Sequence, residues 1–179
     1  MVNPERNHAM IWCVTLNPAL DVTYRLDTPI QSGAIYRAKP IPRAGGKGNN
    51  VARAVATLGL AVTAVGIYGG MTGTVIRQLL AEDGIGCVYQ ETPMETRRCM
   101  TFTAGSHVAE VREPGAYIPV EDGATLLDMV QSRVASTDWV TLSGSLPSDW
   151  PPDTYAVWVD TLKPRVAGIL VDTAGLPSE

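Results

Sequence analysis

The spacing of apolar residues divides the chain into strands and helices. "MIWCVTLN", residues 10–17, is an apolar run of strand-forming residues. It ends at Asn17-Pro18, where proline keeps the residue before it out of the helical region. Residues 21–27 then alternate, with Val22, Tyr24 and Leu26 set against Thr23, Arg25 and Asp27; this is the period of a strand with two unlike faces. Pro29, Pro40 and Pro42 make the stretch up to Arg43 a loop or an irregular edge strand. Val51, Ala54, Val55 and Leu58 recur at helical spacing, so a helix is expected over 50–58, stopped by Gly59. "AVTAVGIYG", 61–69, reads as a buried strand. A second helix over 74–81 turns Val75, Ile76, Leu79 and Leu80 inward and ends at Gly84.

The rhythm then changes to three strand-like runs in succession, "GCVYQE", "RRCMTFTA" and "HVAEVR", the last two joined by a tight turn at Gly105-Ser106. A third helix is expected over 121–136, with Leu126, Leu127, Val130 and Val134 on one face. "DWVTLSG" is a strand, 153–166 a fourth helix after Pro151-Pro152, and "AGILVD" a closing strand. Strand-helix alternation predicts a parallel sheet covered by helices on both faces. The strand-only insertions, about 21–43 and 97–112, do not fit that sheet. Their one polar face predicts a small separate sheet, a flap over a site.

Composition narrows the function classes. The 179 residues are 45% hydrophobic and 18% charged, enough for one domain with a core. A formal charge of −4 provides no basic footprint, so nucleic acid is not an expected partner. Cys13, Cys87 and Cys99 show neither a disulfide framework nor zinc spacing and fit a reducing cytoplasm. His8 and His107 are the only histidines, so no metal site is expected. The apolar run after the polar residues 1–9 is too short to span a membrane. Residues 1–9 are expected to be a disordered extension, with the domain occupying 10–179.

Four stretches could carry chemistry. In "RAGGKGNN", a Walker loop would need serine or threonine after Lys47, and Gly48 stands there; a dinucleotide fingerprint fails on spacing and on its distance from the first strand. Two readings stand: a glycine turn with Asn50 as helix N-cap, or a backbone that admits a ligand at Gly45 and Gly46 while the Asn50 amide meets hydroxyls. Asp21, in "TLNPALD", lies just after the first strand, where open α/β sheets bind ligands; it either holds sugar hydroxyls or caps a turn. Arg97, in "ETRRCM", is a phosphate fork or a solvated surface residue. Ser143, Gly144 and Ser145, in "LSGSLP", provide small residues, hydroxyls and backbone N–H groups for a sugar or phosphate, or simply form a turn. No G-x-S-x-G nucleophile elbow is present.

Taken in order, "TLNPALD", "AGGKGNNVARAVATLGL", "GGMTG", "ETRRC", "PGAYIP" and "SGSLPSDWPP" resemble the N-terminal part of the PfkB carbohydrate kinases of the ribokinase superfamily. The likeness is greatest to the sugar-phosphate branch, which includes 1-phosphofructokinase, tagatose-6-phosphate kinase and the minor 6-phosphofructokinase. "GGKGxNVA" followed by "LG" is highly specific. The resemblance implies a ribokinase-like three-layer α/β/α sandwich with a small β-sheet lid, its C-terminal part absent. It implies ATP-dependent phosphorylation of a fructose or tagatose phosphate, with ATP and Mg2+ as cofactors of the complete enzyme and none for this chain alone. By position, Asp21, Gly45, Gly46 and Asn50 would hold sugar hydroxyls, Arg97 the substrate phosphate, and Ser143, Gly144 and Ser145 would line the same pocket. Lys47 is given no catalytic role.

The departure is the G-A-G-D motif, which in the family supplies an anion hole and the catalytic base: no Gly-Asp step occurs in this chain. The chain is therefore expected to be inactive alone. A homodimer through the lid is expected, and no membrane partner. Two other functions stay open: a non-catalytic sugar-phosphate-binding protein, and a kinase for an unphosphorylated sugar or nucleoside.

Overall fold

The computed structural model describes residues 9–115 and 117–173. Residues 1–8 of the expected extension at 1–9 lie outside the described residues, as do Ala116 of "PGAYIP" and the last six residues. The chain runs β1 (Ile11–Thr15), β2 (Ala19–Arg25), β3 (Pro40–Gly45), α1 (Lys47–Thr57), β4 (Val62–Gly69), α2 (Gly70–Glu82), β5 (Gly86–Thr92), β6 (Arg98–Ala104), β7 (His107–Arg112), α3 (Val120–Gln131), β8 (Trp139–Ser143), α4 (Thr154–Leu162) and β9 (Gly168–Asp172).

Two sheets result. The main one is wholly parallel, in the order β5-β4-β1-β8-β9. Its central strand β1 shows why both faces are covered. Trp12 and Val14 pack with Leu126, Val130 and Trp158 of α3 and α4, whereas Cys13 packs with Ala52, Ile76 and Leu80 of α1 and α2. Successive side chains of a strand point to opposite faces, so an unbroken apolar run is what a doubly covered strand needs. The buried carboxylate of Asp138 pins the start of the sheet, accepting from Met10 N, Trp12 Nε1 and Ala135 N, each at 2.9 Å.

The second sheet, β3-β2-β6-β7, is the flap. β2 pairs parallel with β6; β3 and β7 flank them antiparallel. Pro40 and Pro42 sit in β3, an edge strand, where a missing N–H is tolerated. The two-residue period separates the faces. Val22, Tyr24 and Phe102 form an apolar side, with the Tyr24 and Phe102 rings stacked at 5.3 Å. Asp21, Thr23, Cys99 and Thr101 form the other side.

Several boundaries differ from expectation. α1 begins at Lys47 rather than 50, and its buried face is Gly48, Asn49 and Ala52; Leu58, expected inward, is 75% exposed. Small residues dictate this. A side chain on Gly48 would strike the Val14 carbonyl and Thr15 Oγ1, so its absence lets the first turn lie directly on β1. α3 ends at Gln131 rather than 136, because Asp138 draws Ala135 into a turn. α4 ends at Leu162 rather than 166; Pro164 lacks the N–H to continue it, and Lys163–Arg165 tightens into a 3₁₀ turn.

Candidate functional site

The order of the main sheet reverses at β1. The connections through α1 and α2 build outward to β4 and β5, and those through α3 and α4 build outward to β8 and β9. The carboxyl ends of β1 and β8 therefore flank a topological switch point, where open α/β sheets leave a crevice. A cleft of about 620 Å³ lies there, floored by Thr15, Ser143 and the first turn of α1 and roofed by the polar side of the flap.

The cleft gathers residues that are far apart in sequence. Asp21 comes from β2, Asn50 from α1, Arg97 from the segment just before β6, and Ser143, Gly144 and Ser145 from the end of β8 and the turn after it. Gly46 also lines it, as the N-cap of α1 at φ 97°, a conformation that favours glycine. Gly45 does not line it but lies directly behind Asp21: a Cβ there would collide with Cγ and both carboxylate oxygens. Tyr155 Oη, from α4, donates to Gly144 O at 3.1 Å, and Gly144 N donates to Asp172 O at 2.9 Å, so the serine turn is held from below and from β9.

The side chains are only partly committed. No hydrogen bond reaches the Asp21 carboxylate among the described residues. Burial pushes its carboxyl up from the ordinary range, against the opposing pull of the Arg97, Arg53 and Arg112 guanidinium groups. Asn50 Oδ1 accepts from Arg53 Nη1 at 3.0 Å, which turns the amide as a donor toward other partners. The expected N-cap role of Asn50 is not what forms: Gly46 is the N-cap, without a side-chain cap. Arg97 makes two long bonds, Nε to Pro18 O at 3.3 Å and Nη2 to Asn17 O at 3.4 Å. A guanidinium held so loosely can turn to a stronger acceptor such as phosphate.

Asn17, Arg43, Arg53 and Arg112 also line the cleft and were not singled out from the sequence. Asn17 Nδ2 donates to Ser145 Oγ at 3.2 Å and so ties the first loop to the serine turn. Arg43 and Arg112 stand on either side of Asp21 and Cys99 across the flap. Lys47 Nζ pairs with Asp172 Oδ1 at 3.1 Å across the rim. The lining thus carries five cationic side chains, Arg43, Lys47, Arg53, Arg97 and Arg112, against two acidic ones, Asp21 and Glu110. On a chain of net charge −4 that is a local inversion, and it favours an anionic ligand. The period-2 alternation in β2, β6 and β7 was the available signal for the flap residues.

A three-layer α/β/α domain with a flap sheet over a polar, cationic cleft at the sheet's switch point is the ribokinase-like architecture. The sequence pattern of the pfkB family carbohydrate kinase matches residues 31–177, and the chain belongs to that family. Among solved structures, it is similar to a Staphylococcus aureus protein assigned as a phosphofructokinase, with 31% identity over 90% of this chain and 52% of that one and a TM-score of 0.80. It is also similar to phosphofructokinase-2 from Escherichia coli in complex with fructose-6-phosphate, with 27% identity, 94% and 55% coverage and a TM-score of 0.81; a tetrameric inhibited form of that enzyme is known. A Thermotoga maritima protein assigned as a 1-phosphofructokinase shows 25% identity, 92% and 54% coverage and a TM-score of 0.79. The chain spans about half the length of these relatives.

Among the described residues no group of three or more His, Cys, Asp or Glu is placed to hold a metal ion. Likewise no helix among them is long and apolar enough to cross a membrane.

Proposed function

We propose that this chain forms the acceptor half of the site of a cytoplasmic, ATP-dependent kinase that converts a fructose or tagatose phosphate to the bisphosphate. The observation that carries this reading is the convergence of Asp21, Asn50, Arg97 and Ser145 on one cationic cleft in a carbohydrate-kinase fold. Asp21, which takes no hydrogen bond among the described residues, accepts from two sugar hydroxyls. The backbone at Gly46 and the Asn50 amide hold others. Arg97 forks onto the substrate's phosphate, and the serine turn closes the same pocket. Phosphoryl transfer rests mostly on positioning and charge stabilisation. These residues orient the acceptor; ATP with magnesium supplies the phosphoryl group and is held by groups other than these.

On its own the 179-residue chain binds the sugar phosphate without turning over ATP, because no Gly-Asp step is available to serve as base and anion hole. A homodimer through the flap accompanies this reading. The apolar side of the flap faces away from the cleft, and β7 is exposed at every residue, its outer edge unpaired among the described residues.

Calorimetric titration with fructose 6-phosphate, fructose 1-phosphate, tagatose 6-phosphate and fructose tests the reading. Binding of a phosphorylated ketohexose, lost in Arg97→Ala, is expected. Equal binding of fructose, indifferent to Arg97→Ala, would replace this substrate class with an unphosphorylated sugar. ATP turnover by the purified chain would refute the inactivity.

A further inference from the structure

The motif "GGKGxNVA" leaves residue 49 open, and here it is an asparagine with no exposed surface. Its amide is fully engaged at both ends: Nδ2 donates to Gly45 O at 2.8 Å, and Oδ1 accepts from Tyr68 Oη at 3.0 Å, both bonds buried. Tyr68 lies on β4 and its hydroxyl reaches the first turn of α1 through a gap left by Gly66, where a Cβ would meet Tyr68 Cζ and Oη at 2.6 Å. Burial holds the phenol protonated well above its ordinary range, so it remains a donor at any working pH. α1 has no side-chain N-cap. The loop that enters it is therefore gripped from inside the core rather than from solvent.

We propose that Tyr68 and Asn49 form a positioning relay: together they set the Gly45-Gly46 loop, and through Gly45 the seat of the Asp21 carboxylate, and so raise sugar affinity without touching the sugar. The inference rests on the sugar-phosphate reading above. Gly45 carries the link because its main chain takes the Asn49 bond while its missing side chain gives Asp21 its place. Tyr68→Phe leaves Asn49 Oδ1 buried and unpaired, which loosens the amide that holds the loop.

The full chain, Tyr68→Phe, Asn49→Leu and the double variant are titrated with fructose 6-phosphate and with inorganic phosphate, and their melting temperatures are recorded. Tyr68→Phe is expected to weaken fructose 6-phosphate about tenfold, while inorganic phosphate, which needs only the Arg97 end, changes less than about twofold. The double variant removes the Tyr68–Asn49 pair but also the donor to Gly45 O, so its melting temperature is expected to recover only in part and its affinity to stay low. Wild-type affinity in Tyr68→Phe, or recovery of affinity together with stability in the double variant, would reduce the pair to core packing and overturn the relay. If the unaltered chain binds no sugar phosphate, the functional reading fails by itself. The relay is then judged by hydrogen exchange at Asn50 N–H, the donor to Gly46 O. About tenfold faster exchange in Tyr68→Phe supports it, and unchanged exchange overturns it.

Discussion

Gly45→Ala is the sharpest test of how the cleft is built, because it alters a residue that does not line it. The backbone of Gly45 is not in the left-handed region, so alanine suits the local conformation. The added methyl would overlap Cγ, Oδ1 and Oδ2 of Asp21. Overpacking ordinarily costs about 1–3 kcal/mol, but the obstructing group is the end of a side chain with no hydrogen bond to break among the described residues and open cleft beside it. Asp21 can swing away, and alanine recovers up to about 1 kcal/mol of unfolded-state entropy. The net change in stability is expected to stay within about 1 kcal/mol. Binding responds differently. Each hydrogen bond to an ionised carboxylate contributes about 1.5–3 kcal/mol, so displacing Asp21 from even one sugar hydroxyl weakens affinity by at least about tenfold. Calorimetry with fructose 6-phosphate, beside a urea melt, reads both quantities. A double-mutant cycle completes the test: in an Asp21→Ala background the alanine at 45 should have no further effect on binding. Wild-type affinity in Gly45→Ala, or additive losses in the cycle, would refute the view that this glycine exists to seat Asp21.

Other expectations follow from the same geometry. Asp138→Ala removes the common acceptor of Met10 N, Trp12 Nε1 and Ala135 N, of which the Trp12 bond is buried and the other two are part-buried, so a urea melt should report a loss of at least about 1 kcal/mol; unchanged stability would show that the carboxylate does not anchor the sheet. For Asp21 the raised pKa fixes a sign: its contribution to stability is full below its ordinary value of 3.8 and is lost as pH rises through the higher folded value. The melting temperature of Asp21→Asn relative to the unaltered chain should therefore climb as pH rises from 4 to 7, and a difference constant across that range would contradict the desolvated carboxylate.

Much of the architecture was legible because it depends on local periodicity. The apolar run at 10–17 requires covering on both faces, and the alternation at 21–27 requires one polar side, whatever the rest of the chain does. Proline placed β3 at an edge for a reason confined to one residue, its missing N–H. The motif order likewise named Asp21, Asn50, Arg97 and Ser143 to Ser145, and the structure brings them to one cleft. Helix ends were less legible. The stop of α3 depends on Asp138, whose carboxylate is held by Met10 N and Trp12 Nε1 from the far end of the chain, and the inward face of α1 on how closely Gly48 and Ala52 approach β1.

Asn49 shows where sequence reasoning stopped. Beside Asn50 it carried no distinguishing mark, and the choice of Asn50 as the residue facing the ligand said nothing of its neighbour. Only the packed structure assigns one amide to the cleft and the other to a buried bond with Tyr68, because α1 turns about 100° per residue and its orientation on the sheet decides which side chain faces water. By itself the sequence determined the strand and helix periods, the family and the residues that chemistry could use. Tertiary structure alone decided their mutual placement, because convergence in space depends on strand order and close backbone approach, and neither is encoded in the spacing of any one segment.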